Sequence, residues 1–462
     1  MGSKPHLLLI PYPAQGHVAP LLKLATKIAE HGIKITFVNT EYIEAKILAS
    51  GQAKAEEGGL VRLVSIPDGL DDDDRNDKIK MTESLFRVLP GHLKELIEKM
   101  NQSDDCEPIS CVVADICVGW ALEIAHEMGI PGAAFVPFGP PNLAFLFQVK
   151  RLIDSGIIDT NGNSMNDELI SVSEETIPWK KNEYPWSCPA KPETQKMLFK
   201  ILIGVAQTVR ISNWVLCNSI YELDSLNCDL VPKILPIGPI LASNHSGNSA
   251  GSLILEDPSC LNWLDEQATG SVIYVALGST TRLNQQQFDE LALGLESSGL
   301  PFLWVVRWNL VKESFTGFPD GFKERIAGHG KIVEWAAQEK VLAHPSVACF
   351  LSHCGWNSTM EGLSMGVPFL CWPYFADQHL NRNYICEAWK IGIDLILDDN
   401  GIVTKHEIKR KVEKLLNDEG IKANALKLKE IARRSLVEGG SSCKNFKRFV
   451  NAIKYDHVQD QD

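Results

Sequence analysis

No run of apolar residues in the sequence has the length a bilayer requires, so a membrane-spanning helix is not expected. The first residues, MGSKPHLLLIPYPA, carry only LLLI as an unbroken apolar stretch, too short for the core of a secretion signal. The sixth residue is His6, where a myristoylation signal wants Ser or Thr. The 12 cysteines include no C-x-x-C pair, and several lie in apolar runs such as ISCVVAD and VACFL. They read as buried free thiols in a reducing compartment, not as disulfides. The sequons at Asn101, Asn244 and Asn357 are then chance matches. The expectation is a soluble cytoplasmic protein in which nothing demands more than a monomer.

Positive charge is also short. The net charge of −13 argues against a nucleic acid or an anionic membrane surface as partner, since each needs a basic face. A small phosphorylated ligand needs only local donors, so it stays possible. No G-x-G-x-x-G follows the first strand, which disfavours a nicotinamide dehydrogenase, and no G-x-x-x-x-G-K-[ST] marks a P-loop.

What is present is an alternation. HLLLIPY, IKITFVN, VRLVSIP, ISCVVAD and IPGAAFVP read as strands, with amphipathic stretches such as VAPLLKLATKIAEHG and WALEIAHEMG between them. SLFRVLPGHLKELIEKM reads as a helix pair around Pro90, and residues 155–200 as loops and short helices. After the small, polar SNHSGNSAGS a second series begins: SVIYVALGS, PFLWVVR, KIVEW, VACFLSH, VPFLCWP and GIDLIL, again separated by helical stretches. At 462 residues the chain is too long for one core. The pattern predicts two tandem doubly wound α/β domains, 1–242 and 259–440, joined by a linker at 243–258 and followed by a helix and tail at 441–462. Thr404 and Glu407 have the spacing of a capping box. Ligands of such sheets gather beyond the carboxyl ends of the strands, and two facing domains add a cleft.

Three groups of residues fall at those ends. His17, in PYPAQGH, opens a helix after the first strand; the helix dipole disfavours imidazolium there, leaving a ring able to accept a proton or simply to cap the turn. Asp115 ends ISCVVAD, where it can cap the next helix or hold the His17 imidazole in one tautomer. The third group runs from Trp335 to Gln378. Trp335 can stack on a flat base, and Gln338 adds polar contacts. His353, Asn357 and Ser358 sit where a strand meets a helix and can donate to phosphate oxygens. Glu361, one turn on from Asn357, can accept from sugar hydroxyls, and Asp377–Gln378 suit a vicinal diol. Alone, Trp356 reads as a core aromatic and Glu361 as a solvated helix residue. The DDDD run at 71–74 and Asp104–Asp105 could pass for a metal-binding acidic motif, but a solvated loop suits their polar surroundings better.

The continuous stretch WAAQEKVLAHPSVACFLSHCGWNSTMEGLSMGVPFLCWPYFADQ resembles, without a gap, the donor-binding signature of the plant family 1 UDP-glycosyltransferases. The likeness extends over essentially the whole chain, through PYPAQGHVAPLL, AAFVPFGPPN, YVALGST and GGSSCKNFKRFV. It implies the GT-B fold, with an N-terminal acceptor domain and a C-terminal UDP-sugar domain. By motif position, Trp335 stacks on uracil and the Ala336 backbone reads the base edge. Gln338 and Glu361 hold the ribose, while His353, Asn357 and Ser358 bind the diphosphate, helped by Ser279 and Thr280. Trp356, Asp377 and Gln378 contact the sugar, and Gln at that last position is associated with glucose. His17 is the general base and Asp115 its partner.

The implied reaction is inverting, metal-independent transfer of glucose from the co-substrate UDP-glucose to a hydroxyl of a small apolar acceptor such as a flavonoid, phenolic or terpenoid. Phe138, Asn142, Phe145 and Trp186 are expected around that acceptor, or else in ordinary packing. The C-terminal Ser441–Val450 segment is expected to return to the N-terminal domain. One departure is Ala376, where many members carry Gly. Another UDP-sugar, ester or nitrogen acceptors, and a non-catalytic binder that lacks a base are the alternatives.

Overall fold

The computed structural model describes residues 4–50, 61–71, 74–103, 107–181, 183–188, 191–242, 253–307 and 317–459. It divides into two compact units, one of Met1–Ile254 with Ser435–Asp462 and one of Leu255–Arg434. The changeover is visible in two backbone bonds. Leu253 N–H donates to Gln15 Oε1 in the first unit, and Asp257 N–H donates to the Trp335 carbonyl in the second. The body of the expected linker, 243–252, lies outside the described residues, as do Asn244, Cys106, Asp72, Asp73, Asp104 and Asp105.

The first unit is built on seven strands: β1 His6–Ile10, β2 Lys34–Thr40, β3 Val61–Ile66, β4 Cys111–Asp115, β5 Gly132–Val136, β6 Trp214–Cys217 and β7 Ile234–Pro236. They run in the order β3-β2-β1-β4-β5-β6-β7, and each neighbouring pair is parallel. β1, β4 and β5 are buried along their whole length, as strands covered by helices on both faces must be. The Gln15–Ala29 helix explains one cover: Val18, Leu21, Leu22, Ala25 and Ile28 recur at three- and four-residue spacing and are buried on the sheet. The Ser441–Gln459 helix adds Phe446, Phe449, Val450 and Ile453 to the same core, and Asn445 Nδ2 donates to the Pro236 carbonyl at 2.9 Å.

The second unit has six parallel strands: β8 Val272–Ala276, β9 Phe302–Val305, β10 Gly330–Val333, β11 Val347–Ser352, β12 Phe369–Cys371 and β13 Gly392–Asp394. Their order is β10-β9-β8-β11-β12-β13. The Trp356–Met365 helix follows β11 and stops at Gly366, whose φ of 72° is the left-handed geometry glycine allows without cost. The Lys405–Leu416 helix starts at Thr404, whose hydroxyl accepts from Glu407 N–H at 3.2 Å. The reciprocal half of that box is diverted, because Glu407 Oε1 accepts from Ile396 N–H instead.

Residues 155–200, expected as loops and short helices, hold two isolated bridges and the start of the 12-residue Pro192–Ile203 helix. All 11 described cysteines are free thiols. Among the described residues no helix is long and apolar enough to cross a membrane.

Candidate active site

In the first unit, β1 and β4 are neighbours, so their carboxyl ends deliver adjacent loops. The first loop enters the Gln15–Ala29 helix with His17 in its opening turn; the second begins at Asp115, the last residue of β4. His17 Nδ1 and Asp115 Oδ2 meet at 2.7 Å, with side chains 26% and 0% exposed. The two sequence readings of Asp115 are both realised, because a carboxylate has two oxygens. Oδ2 takes the imidazole, while Oδ1 accepts from Cys117 N–H at 2.9 Å and caps a short 3-10 turn. An acceptor at Nδ1 leaves the lone pair on Nε2, the nitrogen away from the carboxylate. Tyr12 lies against the ring at a centroid distance of 5.0 Å. Burial raises its hydroxyl to about 12, with Cys117 adding to the rise and Thr82 opposing it through a hydrogen bond.

In the second unit, Gln338, Ser358 and Glu361 come together from two helices. Gln338 Nε2 donates to Glu361 Oε2 at 2.7 Å and to Ser358 Oγ at 2.8 Å, and Tyr274 Oη donates to Gln338 Oε1 at 3.2 Å. Both hydrogens of the amide are therefore committed within the protein. Glu361 is 8% exposed, so its carboxylate is a buried acceptor held by an uncharged partner. His353 turns out of β11 between Gly278 and Gly355. A Cβ on either glycine would come within 2.5 Å of His353 Nε2, so both positions must lack one. Burial lowers the ring to about 4, with the Ala276 backbone opposing, and it is neutral at physiological pH. Cys354, next in the turn, has a φ of 64°, and Gly355 supplies no side-chain cap to the Trp356–Met365 helix.

At the end of β12, Gln378 Oε1 accepts from Tyr374 N–H at 2.9 Å and Phe375 N–H at 3.2 Å. Only its Nε2 hydrogens remain to meet a ligand, so Gln378 can donate but not accept there. Asp377 Oδ2 accepts from Asn381 Nδ2, which also reaches the Cys354 carbonyl, both at 2.9 Å. Ala376, in the same turn, has a φ of 54°, the left-handed region that favours glycine. Trp335, Asn357, Ser279 and Asp377 are half-buried, Thr280 is exposed, and Ala336 is buried.

Not every expected residue presents a surface. Trp356 is 5% exposed, its indole packed near Trp389 at 6.4 Å. Phe145 and Trp186 are both at 0% exposure. Phe145 stacks on Trp179 at 4.4 Å and on Trp186 at 5.7 Å, and Trp186 Nε1 donates to the Gly162 carbonyl. These two are core, not a pocket wall. Phe138 is half-buried. Asn142 is 1% exposed, and among the described residues neither its amide oxygen nor its nitrogen has a hydrogen-bond partner. Of the acidic run, Asp74 pairs with Lys80 at 2.5 Å.

Sequence reasoning passed over three residues. Tyr274 hides its hydroxyl in an apolar strand. Arg307 donates to the Ser279 carbonyl at 3.0 Å and lies 5.6 Å from the Trp335 ring centre. Cys117 shares the turn after Asp115.

Two parallel α/β sheets, one ending in a His–carboxylate pair and the other in a glycine-flanked turn entering a helix, match the GT-B class of sugar-nucleotide transferase to which the solved structures similar to this chain belong. A family model, UDP-glucoronosyl and UDP-glucosyl transferase, matches residues 252–439. UDP-glycosyltransferase 83A1 of Arabidopsis thaliana is 41% identical, with 98% of this chain and 97% of that protein covered. The solved structure of Os79 from O. sativa in complex with UDP superposes with a TM-score of 0.81 at 28% identity, covering 97% of this chain and 100% of that one. A UDP-glucosyltransferase from Polygonum tinctorium capable of glucosylating indoxyl gives 0.82 at 26% identity, covering 98% and 99%. The chain belongs to the plant family 1 UDP-glycosyltransferases.

Proposed function

We propose that the protein transfers glucose from UDP-glucose to a hydroxyl of a small apolar acceptor with inversion, His17 acting as general base and Asp115 as its partner. The observation that carries this reading is the 2.7 Å contact of His17 Nδ1 with the fully buried Asp115 carboxylate. Nε2 takes the hydroxyl proton as the oxygen attacks the anomeric carbon opposite UDP. The α-linked donor becomes a β-glycoside in one displacement, and Asp115 stabilises the imidazolium that forms. General-base help of this kind is worth on the order of a hundredfold or more.

The C-terminal unit is assigned the donor. Uracil stacks on the Trp335 face not covered by Arg307, with the Ala336 backbone at the base edge. Glu361 accepts from the ribose hydroxyls, and Gln338 acts by holding Glu361 and Ser358 in place. Ser279, Thr280, His353, Asn357, Ser358 and the helix N-terminus receive the diphosphate. Being neutral, His353 contributes an N–H and no charge. Asp377 accepts from sugar hydroxyls and Gln378 donates to them; Trp356 acts through its backbone. The N-terminal unit is assigned the acceptor, with Phe138 as apolar surface and the unpaired Asn142 amide as polar anchor. A monomer in a reducing cytoplasm completes the reading; the free thiols support the reducing compartment.

The test is UDP release from UDP-glucose with phenolic, terpenoid and carboxylic acceptors in the presence of EDTA, followed by the anomeric coupling of the product. Acceptor-dependent release giving a β-glycoside is expected. An α-linked product, or release abolished by EDTA and restored by a divalent cation, would overturn the mechanism.

A further inference from the structure

The turn that positions Asp115 also brings a thiol to the base. His17, Asp115 and Cys117 each offer one ligand atom, and the three atoms lie within 4.8 Å of one another. The cause is local: Cys117 N–H bonds back to Asp115 Oδ1 at 2.9 Å, which curls the thiol toward the carboxylate. Burial, together with the Asp115 charge and its hydrogen bond, holds that thiol well above its ordinary range, so without a cation it carries its proton. The proposed transfer has no use for a sulfur here. Imidazole, carboxylate and thiolate are the donor set of zinc and its thiophilic relatives, and three protein ligands leave a fourth position open.

We propose that His17 Nδ1, Asp115 and Cys117 form a binding site for zinc or a similar thiophilic divalent cation, and that filling it stops transfer. Two anionic ligands and a dication sum to zero charge, which suits a site with a fully buried carboxylate. To share a cation at bond lengths of about 2.0–2.3 Å, Nδ1 and Oδ2, 2.7 Å apart as a hydrogen bond, must open to roughly 3.3 Å, and the Cys117 sulfur, within 4.8 Å of both, must come to about 3.5 Å from each. The protons balance as follows. Cys117 gives its thiol proton to solvent, and the proton on His17 Nδ1 gives way to the metal bond while Nε2 takes one up. One proton leaves per cation, and Nε2 no longer has a lone pair. The inhibitory half rests on the reading of His17 as base; the binding half does not.

The test uses the full chain, stripped with EDTA and dialysed. Cadmium is titrated while the near-ultraviolet thiolate-to-cadmium band is followed, and zinc is titrated against acceptor-dependent UDP release. The expected result is one equivalent of band that Cys117→Ala lacks, zinc inhibition reversed by EDTA, and at least about tenfold more zinc needed to inhibit the variant. Cys117→Val, closer in volume, repeats the comparison should the alanine variant fold poorly. Equal bands and equal inhibition in wild type and both variants would overturn the site. Cys117-dependent binding that leaves turnover untouched would overturn the inhibitory role, and His17 as base would fall with it while the binding site stood.

Discussion

Gln338→Leu removes three hydrogen bonds at once, to Ser358 at 2.8 Å, to Glu361 at 2.7 Å and from Tyr274 at 3.2 Å. Water cannot replace them readily, because Tyr274 is 1% exposed and Ser358 and Glu361 are 8% exposed. A buried polar group left without its partner costs about 1–3 kcal/mol, and the carboxylate belongs at the upper end. Counting the carboxylate and the phenol, the variant should lose roughly 3 kcal/mol. For a domain of this size that is a fall in Tm of about 6–12 °C. Glu361 would also lose its positioning, and one charge-assisted hydrogen bond corresponds to about ten- to a hundredfold in Kd. Thermal melts by circular dichroism and calorimetric titration with UDP read the two effects separately. Gln338→Glu sharpens the contrast, since two carboxylates would then share the site and one would hold a proton. Its folded-state pKa is raised, so its cost grows as pH climbs past about 4.3. A leucine variant that melts within about 2 °C of wild type and binds UDP equally well would refute the network's role.

Gly278→Ala puts a side chain on a residue with φ of 77° and a Cβ 2.5 Å from His353 Nε2. The conformation alone costs about 1–2 kcal/mol, and the imidazole must move, so a lower urea midpoint and weaker UDP binding are expected; unchanged values would show that His353 has room to spare. Ala376→Gly goes the other way: relieving a φ of 54° should add up to about 1 kcal/mol, read as a higher urea midpoint at constant m-value. A clear loss of stability there would mean that the methyl packs. His353 gives a pH signature. Its folded pKa of about 4 lies below the unfolded value near 6.5, so the unfolded chain binds the proton first and stability falls as pH drops from about 6.5 toward 4. The full effect is on the order of 3 kcal/mol, and His353→Gln should flatten that limb of the stability profile.

The parallel sheets were legible because buried parallel strands are plain apolar runs, and β1, β4, β5, β8 and β11 announce themselves. WVLC and ILP, which become β6 and β7, are four and three residues long, too short to show a period. His17 and Asp115 could be paired because each falls at or just beyond the carboxyl end of a strand of the same sheet. The aromatic residues were not separable in this way. An apolar ring beside a glycine–proline turn suits a pocket and a core equally, and only contacts such as Phe145 on Trp179 decide for core. Trp356 shows the same ambiguity inside the signature itself. Arg307 left no signal at all, since a guanidinium bound to a backbone carbonyl has no characteristic spacing.

The most direct test of the account is turnover of His17→Ala alongside its affinity for UDP. Every assigned donor contact lies in the other unit, so UDP should bind the variant as it binds wild type while acceptor-dependent release falls by a hundredfold or more. Wild-type turnover in a variant that still binds UDP would contradict the assignment of His17 as the base.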